Sequence, residues 1–280
     1  MLDSFLISSD IQRKWIEKFK TIEDTFKQRA AKEDIDSKFP FDNIKWLVEE
    51  GYSVLTLPKS YGGEGATIED MVVLQSYLGA IDGATALSIG WHLSVVGQLY
   101  QQHMWSQTML DQFAKEVKNG ALVNRAVSEA DTGSPTRGGR PATHAIKTKD
   151  GYKLNGVKTF TSMSKALTHY IVAAFVEDIQ EVGFFLIPRE SKGLEIADNW
   201  NMLGMRATES HDLVLNDVIV PFENFVETKH KPQPNGWILH IPSVYLGIAQ
   251  AARDYAIEFA KTHSPNSIDG TIATLPTVQQ

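Results

Sequence analysis

At 280 residues, 42% apolar and 22% charged, the chain has an ordinary globular composition and the length for two domains with real cores. A net charge of -7 works against nucleic acid or an anionic membrane as default partners, without excluding a phosphate-bearing cofactor held by local donors. With no cysteine there is no disulfide frame, thiolate nucleophile or zinc–thiolate site. The first ten residues lack a basic n-region and a long apolar core, and no run reaches the length of a membrane span, so a cytoplasmic protein is expected.

The first third reads as helical. Ser9 and Gln12 have capping-box spacing, and Ile11, Trp15, Phe19, Ile22 and Phe26 then recur at three and four as one buried face. A short helix from about Asp42 stops near Gly51. The loop at 57–65 (L-P-K-S-Y-G-G-E-G) lacks the Lys-Ser/Thr pair of a P-loop, and turn chemistry accounts for its glycines. Thr67 with Asp70 opens another helix, and Asp82-Gly83 closes it. Residues 84–102, including Trp91 and His92, are apolar nearly all round and predict a central buried helix. Ser106 starts a further helix, with Met109, Leu110, Phe113 and Val117 on one face, that ends at Asn119-Gly120.

At Ala121 the period changes to that of strands. Asp150-Gly151 and Asn155-Gly156 read as tight turns between strands, with more strands expected over 170–176, 182–187 and 212–218. Pro221 closes this β region, 229–234 reads as a linker, and a helical period returns from Trp237 to Thr262. The layout is helices, a compact β domain, then helices.

Several chemistries are absent. No G-x-G-x-x-G follows a strand, neither H-E-x-x-H nor G-x-S-x-G occurs, and the eight histidines lack metal spacing. What remains is Ser128, Ser134 and Ser162 at expected strand ends, beside a glycine and Phe160. Hydroxyl and amide donors at the polar edge of a planar heteroaromatic ligand, with an aromatic ring over its face, would use such residues. On spacing alone, turn serines and a core phenylalanine account for them better.

Five segments in order resemble the acyl-CoA dehydrogenase family over essentially the whole chain. They are L-P-K-S-Y-G-G-E-G (57–65), A-V-S-E-A-D-T-G-S-P (126–135), N-G-V-K-T-F-T-S-M (155–163), L-G-M-R-A-T-E-S (203–210) and L-N-D-V-I-V-P-F-E-N (215–224). The resemblance implies an α+β multidomain fold class: an N-terminal all-α domain (1–120), a middle antiparallel β-barrel-like domain (121–229) and the start of a C-terminal α-helical bundle (230–280). It implies FAD, contacted by Arg125, Ala126, Val127, Ser128, Gly133, Ser134, Phe160, Thr161 and Ser162. Ser128 and Ser162 stand where the family has flavin-binding threonines, Phe160 where it has a tryptophan packed on the ring, and Ser134 near the pyrophosphate and the CoA arm. Phe160, Pro135 and Arg125 depart from the family's usual residues.

The implied reaction is α,β-dehydrogenation of an acyl-CoA thioester in fatty acid metabolism. A glutamate takes the α-proton, the β-hydrogen leaves as hydride to flavin N5, and an electron-acceptor protein follows. The family forms homodimers or homotetramers. Ser134, His92 and Arg206 are the candidate substrate contacts, against a satisfied core histidine for His92 and an ion-pair partner for Arg206. Glu129 matches a family glutamate with either a chemical or a loop-anchoring role. No catalytic base is assigned: 237–244 hold no glutamate, and the base is expected beyond Gln280, the chain reading as a fragment with an uncovered apolar bundle face. The rival readings are a flavin-dependent monooxygenase on the same fold, which His92 and Ser162 would suit, and a catalytically incomplete fragment or cofactor-free interaction module.

Overall fold

The structure is a computed structural model that describes residues 7–133, 139–228 and 234–279. Ser134 and most of the expected linker at 229–234 lie outside the described residues.

Five helices come first. In α1 (Asp10–Asp36), Ser9 and Gln12 form the reciprocal capping box, and Trp15, Phe19 and Phe26 are fully buried. α2 spans Phe41–Glu49, and α3 (Ile68–Ile81) opens on a second capping box between Thr67 and Asp70. Asp70 also accepts from Ser9 Oγ and Gln12 Nε2, so one carboxylate joins the starts of α1 and α3. Asp82 ends α3 and caps α4 (Gly83–Gln102) by accepting from the Ala84 and Thr85 amides. α5 is Gln107–Lys118. After the sheet, α6 (His240–Thr262) returns to cross α3 at backbone contact: a Cβ on Gly247 would lie 2.0 Å from the Ser76 carbonyl. Tyr245, Leu246, Tyr255 and Phe259 of α6 are exposed. A short helix, α7, covers Pro276–Gln279.

Between them lies one sheet of β1 (Val123–Ala126), β2 (His144–Lys147), β3 (Tyr152–Lys158), β4 (His169–Val176), β5 (Glu181–Pro188), β6 (Leu194–Ile196), β7 (Leu213–Val220) and β8 (Phe225–Thr228). The order is β6-β7-β3-β2-β4-β5-β8, with β1 on β4. β1 and β2 run parallel to β4 and share one of its edges end to end, pairing with His169–Val172 and with Phe175 and Val176 respectively. The expected antiparallel barrel is therefore corrected to a mixed, unclosed sheet: among the described residues its path ends at β6 and β8. β4 is buried on both faces, as a central strand with helices against it must be.

Two turn readings differ from the structure. Asp150-Gly151 does connect β2 to β3, where Thr148 N donates to Gly151 O at 2.8 Å. Asn155-Gly156 instead lies inside β3, at a register shift against β7. A Cβ on Gly156 would sit 2.4 Å from Thr143 Oγ1, so this glycine serves close approach, not reversal. Pro221 does not close the β region either, because β8 follows it. No helix among the described residues is long and apolar enough to cross a membrane.

His92 fastens the helical layer to the sheet. Fully buried, it donates from Nε2 to the Ser53 carbonyl at 2.9 Å and accepts at Nδ1 from Val123 N at 3.1 Å, at the start of β1. Burial depresses its pKa from 6.5 to about 4, against the Ser53 bond that favours the proton. The folded state holds the neutral ring, so this contribution is complete above pH 6.5 and is lost as the pH falls towards 4. His92→Phe would orphan two buried backbone groups at about 1–3 kcal/mol each. Urea denaturation should show that loss at pH 7 and a flatter pH dependence between 6.5 and 4 than in the parent chain.

Candidate functional site

The site is built from two strand ends that are not sheet neighbours. β1 pairs with β4, whereas β3 lies between β2 and β7. Beyond the sheet their continuations meet: Thr159 N donates to Ser128 O at 2.8 Å. Ser128 and Phe160 therefore stand on adjoining segments of one wall.

Behind the wall a buried clasp joins the same segments. Lys158 Nζ lies 2.6 Å from Glu129 Oε1, with Lys158 wholly buried and Glu129 nearly so. Oε1 also accepts from Thr143 N at 3.0 Å, and Oε2 from Ala142 N at 2.7 Å and from the Thr132 hydroxyl. Burial opposes the charge on Glu129, but Lys158, Thr132 and Thr143 outweigh it and hold its pKa at about 2. Burial lowers the Lys158 pKa as well, with Glu129 opposing. The pair is ionic at neutral pH, and a carboxylate accepting from four donors anchors the loop; it is not placed to take a substrate proton. The loop is pinned further by reciprocal bonds between the Glu129 and Gly133 backbones, with Gly133 at φ +69°.

Phe160 sits at φ 57°, in the left-handed region, where a bulky side chain is strained. Its neighbours hold it there: Thr159 N bonds Ser128 O, Thr161 N bonds His211 O at 3.2 Å, and Ser162 N bonds Phe160 O at 2.9 Å. The ring is 60% exposed and meets Trp200 edge-on at 6.0 Å. Ser162 is buried; Asn124 Nδ2 donates to its carbonyl at 3.2 Å, and its hydroxyl lies 2.8 Å from Ser210 Oγ. Thr159 and Thr161 keep buried hydroxyls with no protein hydrogen-bond partner. An exposed ring held in a strained backbone, beside half-buried Ser128 and the unpartnered hydroxyls, fits a planar ligand with a polar edge.

The structure thus brings together Ser128, Phe160, Thr161 and Ser162, with Val127 beside Ser128 and Gly133 on the pinned loop. Ala126 packs its side chain into the main core. The Arg125 guanidinium turns away to a bidentate pair with Glu227 at 2.9 and 3.1 Å, joined by Trp105 Nε1 at 2.7 Å. Only its backbone is left for the wall. Of the two described substrate candidates, His92 has both nitrogens bonded to backbone, and Arg206 reaches Asp34 of α1 at 2.6 and 3.3 Å. Sequence reasoning missed Asn124, Trp200, Thr208, Ser210 and His211. The alternating hydroxyls of Thr208 and Ser210, inside a motif already singled out, were the available signal. A separate cavity of about 360 Å3 is lined by Lys165, Arg189, Glu190, Leu194 and Ile196 and includes none of the wall residues.

Comparison with known proteins gives the chain a family. Models described as the acyl-CoA dehydrogenase N-terminal and middle domains match residues 11–114 and 124–218. YdbM of Bacillus subtilis (strain 168), by name an acyl-CoA dehydrogenase, is 51% identical over 280 residues, covering 99% of this chain and 74% of YdbM. Butyryl-CoA dehydrogenase from Megasphaera elsdenii superposes with a TM-score of 0.84 at 20% identity, over 97% of this chain and 74% of that one. KijD3, solved with FMN and an amino-keto sugar nucleotide, gives 0.83 at 23% identity, over 97% and 68%. The two structural likenesses define the class by fold: a helical layer, a mixed sheet and the helix that follows it. The sequence match goes further, and the chain belongs to the acyl-CoA dehydrogenase family.

The clasp carries its own test. Lys158→Met leaves a buried carboxylate without its counter-charge and should cost about 3–5 kcal/mol, whereas Lys158→Met with Glu129→Gln, which removes the charge but keeps an acceptor for the Ala142 and Thr143 amides, should recover part of that loss. Since the Glu129 pKa is depressed from 4.5 to about 2, its contribution is complete above pH 4.5 and fades as the pH falls towards 2. Urea titrations of the three chains at pH 7 measure the first effect, and acid titration of the parent measures the second.

Proposed function

We propose that the chain is an FAD-dependent oxidoreductase that carries out α,β-dehydrogenation of an acyl-CoA thioester. The observation supporting it is the Thr159–Ser128 bond, which sets an exposed aromatic ring and several hydroxyls on one wall. FAD, when bound, supplies the acceptor for the hydride. The chain's own part is to hold and polarise it. Phe160 offers a ring face, and the Ser128 and Ser162 segments offer hydroxyl and amide groups at the ring's edge, where negative charge grows on reduction. The close fold likeness to butyryl-CoA dehydrogenase agrees with this reading. A homo-oligomer, an electron-acceptor protein and a place in cytoplasmic fatty acid metabolism belong to the same proposal.

A second reading has one observation in its favour. Glu129, the one carboxylate next to the wall that sequence singled out, is fully engaged, and residues 237–244 hold no carboxylate. A flavin monooxygenase on the same fold needs no such base. His92 does not serve it, both ring nitrogens being bonded to backbone.

Fluorescence titration of the protein with FAD and with FMN tests the wall. We expect saturable binding, weakened about tenfold or less by Phe160→Ala, the scale of one aromatic contact. Anaerobic bleaching of the bound flavin by butyryl-CoA supports the dehydrogenase. Rapid oxidation by oxygen without such bleaching favours the monooxygenase, and a protein that binds neither flavin refutes both.

A further inference from the structure

Ser162 does not stand alone. Its Oγ is 2.8 Å from Ser210 Oγ, which is 2.8 Å from Thr208 Oγ1, and the Thr208 hydroxyl reaches the Met205 carbonyl at 2.9 Å. All three hydroxyl residues are buried, at 7, 5 and 1% exposure respectively. A hydroxyl has one proton to donate and lone pairs to accept with, so the direction of one bond fixes the next. With Thr208 donating to Met205, Ser210 donates to Thr208 and Ser162 to Ser210. Ser162 then shows only lone pairs to the wall.

The opposite direction is also open. If Ser162 donates to the wall, Ser210 turns to donate to Ser162 and Thr208 to Ser210. The Met205 carbonyl loses that hydroxyl but keeps Trp200 Nε1 at 3.1 Å and Thr208 N at 3.2 Å. Neither direction leaves a buried polar group of the relay orphaned, which is the condition for easy reversal. Each O–H only rotates; no proton enters or leaves the chain.

Resting on the flavin reading above, we propose that Ser210 and Thr208 are positioning residues that let the Ser162 hydroxyl face the flavin edge as donor before reduction and as acceptor after it. A ring nitrogen that gains hydrogen on reduction changes from acceptor to donor, and the relay gives Ser162 the matching change. The two residues touch no ligand themselves; they act through Ser162. Removing the Ser210 hydroxyl leaves the donor direction intact but orphans the Ser162 proton in the acceptor direction. The reduced state alone is then penalised.

The experiment is a midpoint-potential measurement by dye equilibration on the FAD-loaded full chain and on Ser210→Ala, Ser210→Thr, Thr208→Val and Thr208→Ser, with urea denaturation alongside. One orphaned buried hydroxyl should reduce the preference for reduced over oxidised flavin about tenfold, a fall of about 30 mV for a two-electron couple. We expect that fall in Ser210→Ala and Thr208→Val and near-parent potentials in Ser210→Thr and Thr208→Ser. If Ser210→Ala does not fold, Thr208→Val carries the same test. Flavin bound with equal potentials in all chains overturns the relay and leaves the flavin reading standing, as does a fall that the hydroxyl-keeping variants fail to reverse. A parent chain that binds no flavin overturns the reading and the relay together.

Discussion

The ion pair of Lys158 with Glu129 is the constraint on which the wall depends. Strands β1 and β3 share no ladder, so sheet hydrogen bonding alone does not bring their ends together. The clasp does so with a desolvated charge on each segment, and the Thr159–Ser128 backbone bond completes the join. A buried pair of this kind is a poor source of net stability compared with apolar packing, but its loss leaves an uncompensated charge. Its value here is placement. It fixes the spacing of two loops that would otherwise be set only by their own turns.

The second support is a set of strained residues on two facing segments. Phe160 and Met163 on one, and Met205 and Glu209 on the other, all adopt positive φ. Cross-bonds stitch the segments together: Thr161 N to His211 O, Met163 N to Thr208 O, and Ser164 Oγ to Glu209 O at 2.8 Å. Unfavourable backbone persists where surrounding contacts over-determine it, and such places concentrate at ligand sites. Here the Phe160 ring is exposed while Thr161 is fully buried and Ser162 keeps only a small exposed surface.

Much of the fold was legible because its signals are local. The boxes at Ser9–Gln12 and Thr67–Asp70 complete within three residues, and the apolar period of α1 needs no partner to be read. Local signals failed where the reason for a residue lay far away in sequence. Gly156 is a glycine because Thr143 approaches it, which tight-turn statistics cannot report. The sheet looked antiparallel because its hairpins are local, while the parallel pairings of β4 with β1 and β2 are not. Arg125 and His92 are polar residues at promising places whose true partners, Glu227 and the Ser53 and Val123 backbones, come from remote elements. Family resemblance located Ser128, Phe160 and Ser162, but not Thr208 and Ser210 as the hydroxyls behind Ser162.

The most direct measurement of the central claim is a crystal structure of the chain with bound FAD. The account predicts the isoalloxazine lying against Phe160, with polar atoms of its edge within hydrogen-bond distance of the Ser128 and Ser162 segments and the Lys158–Glu129 pair intact behind them. A flavin ring seated away from these two strand ends, or a wall whose segments part when the ring binds, would contradict it.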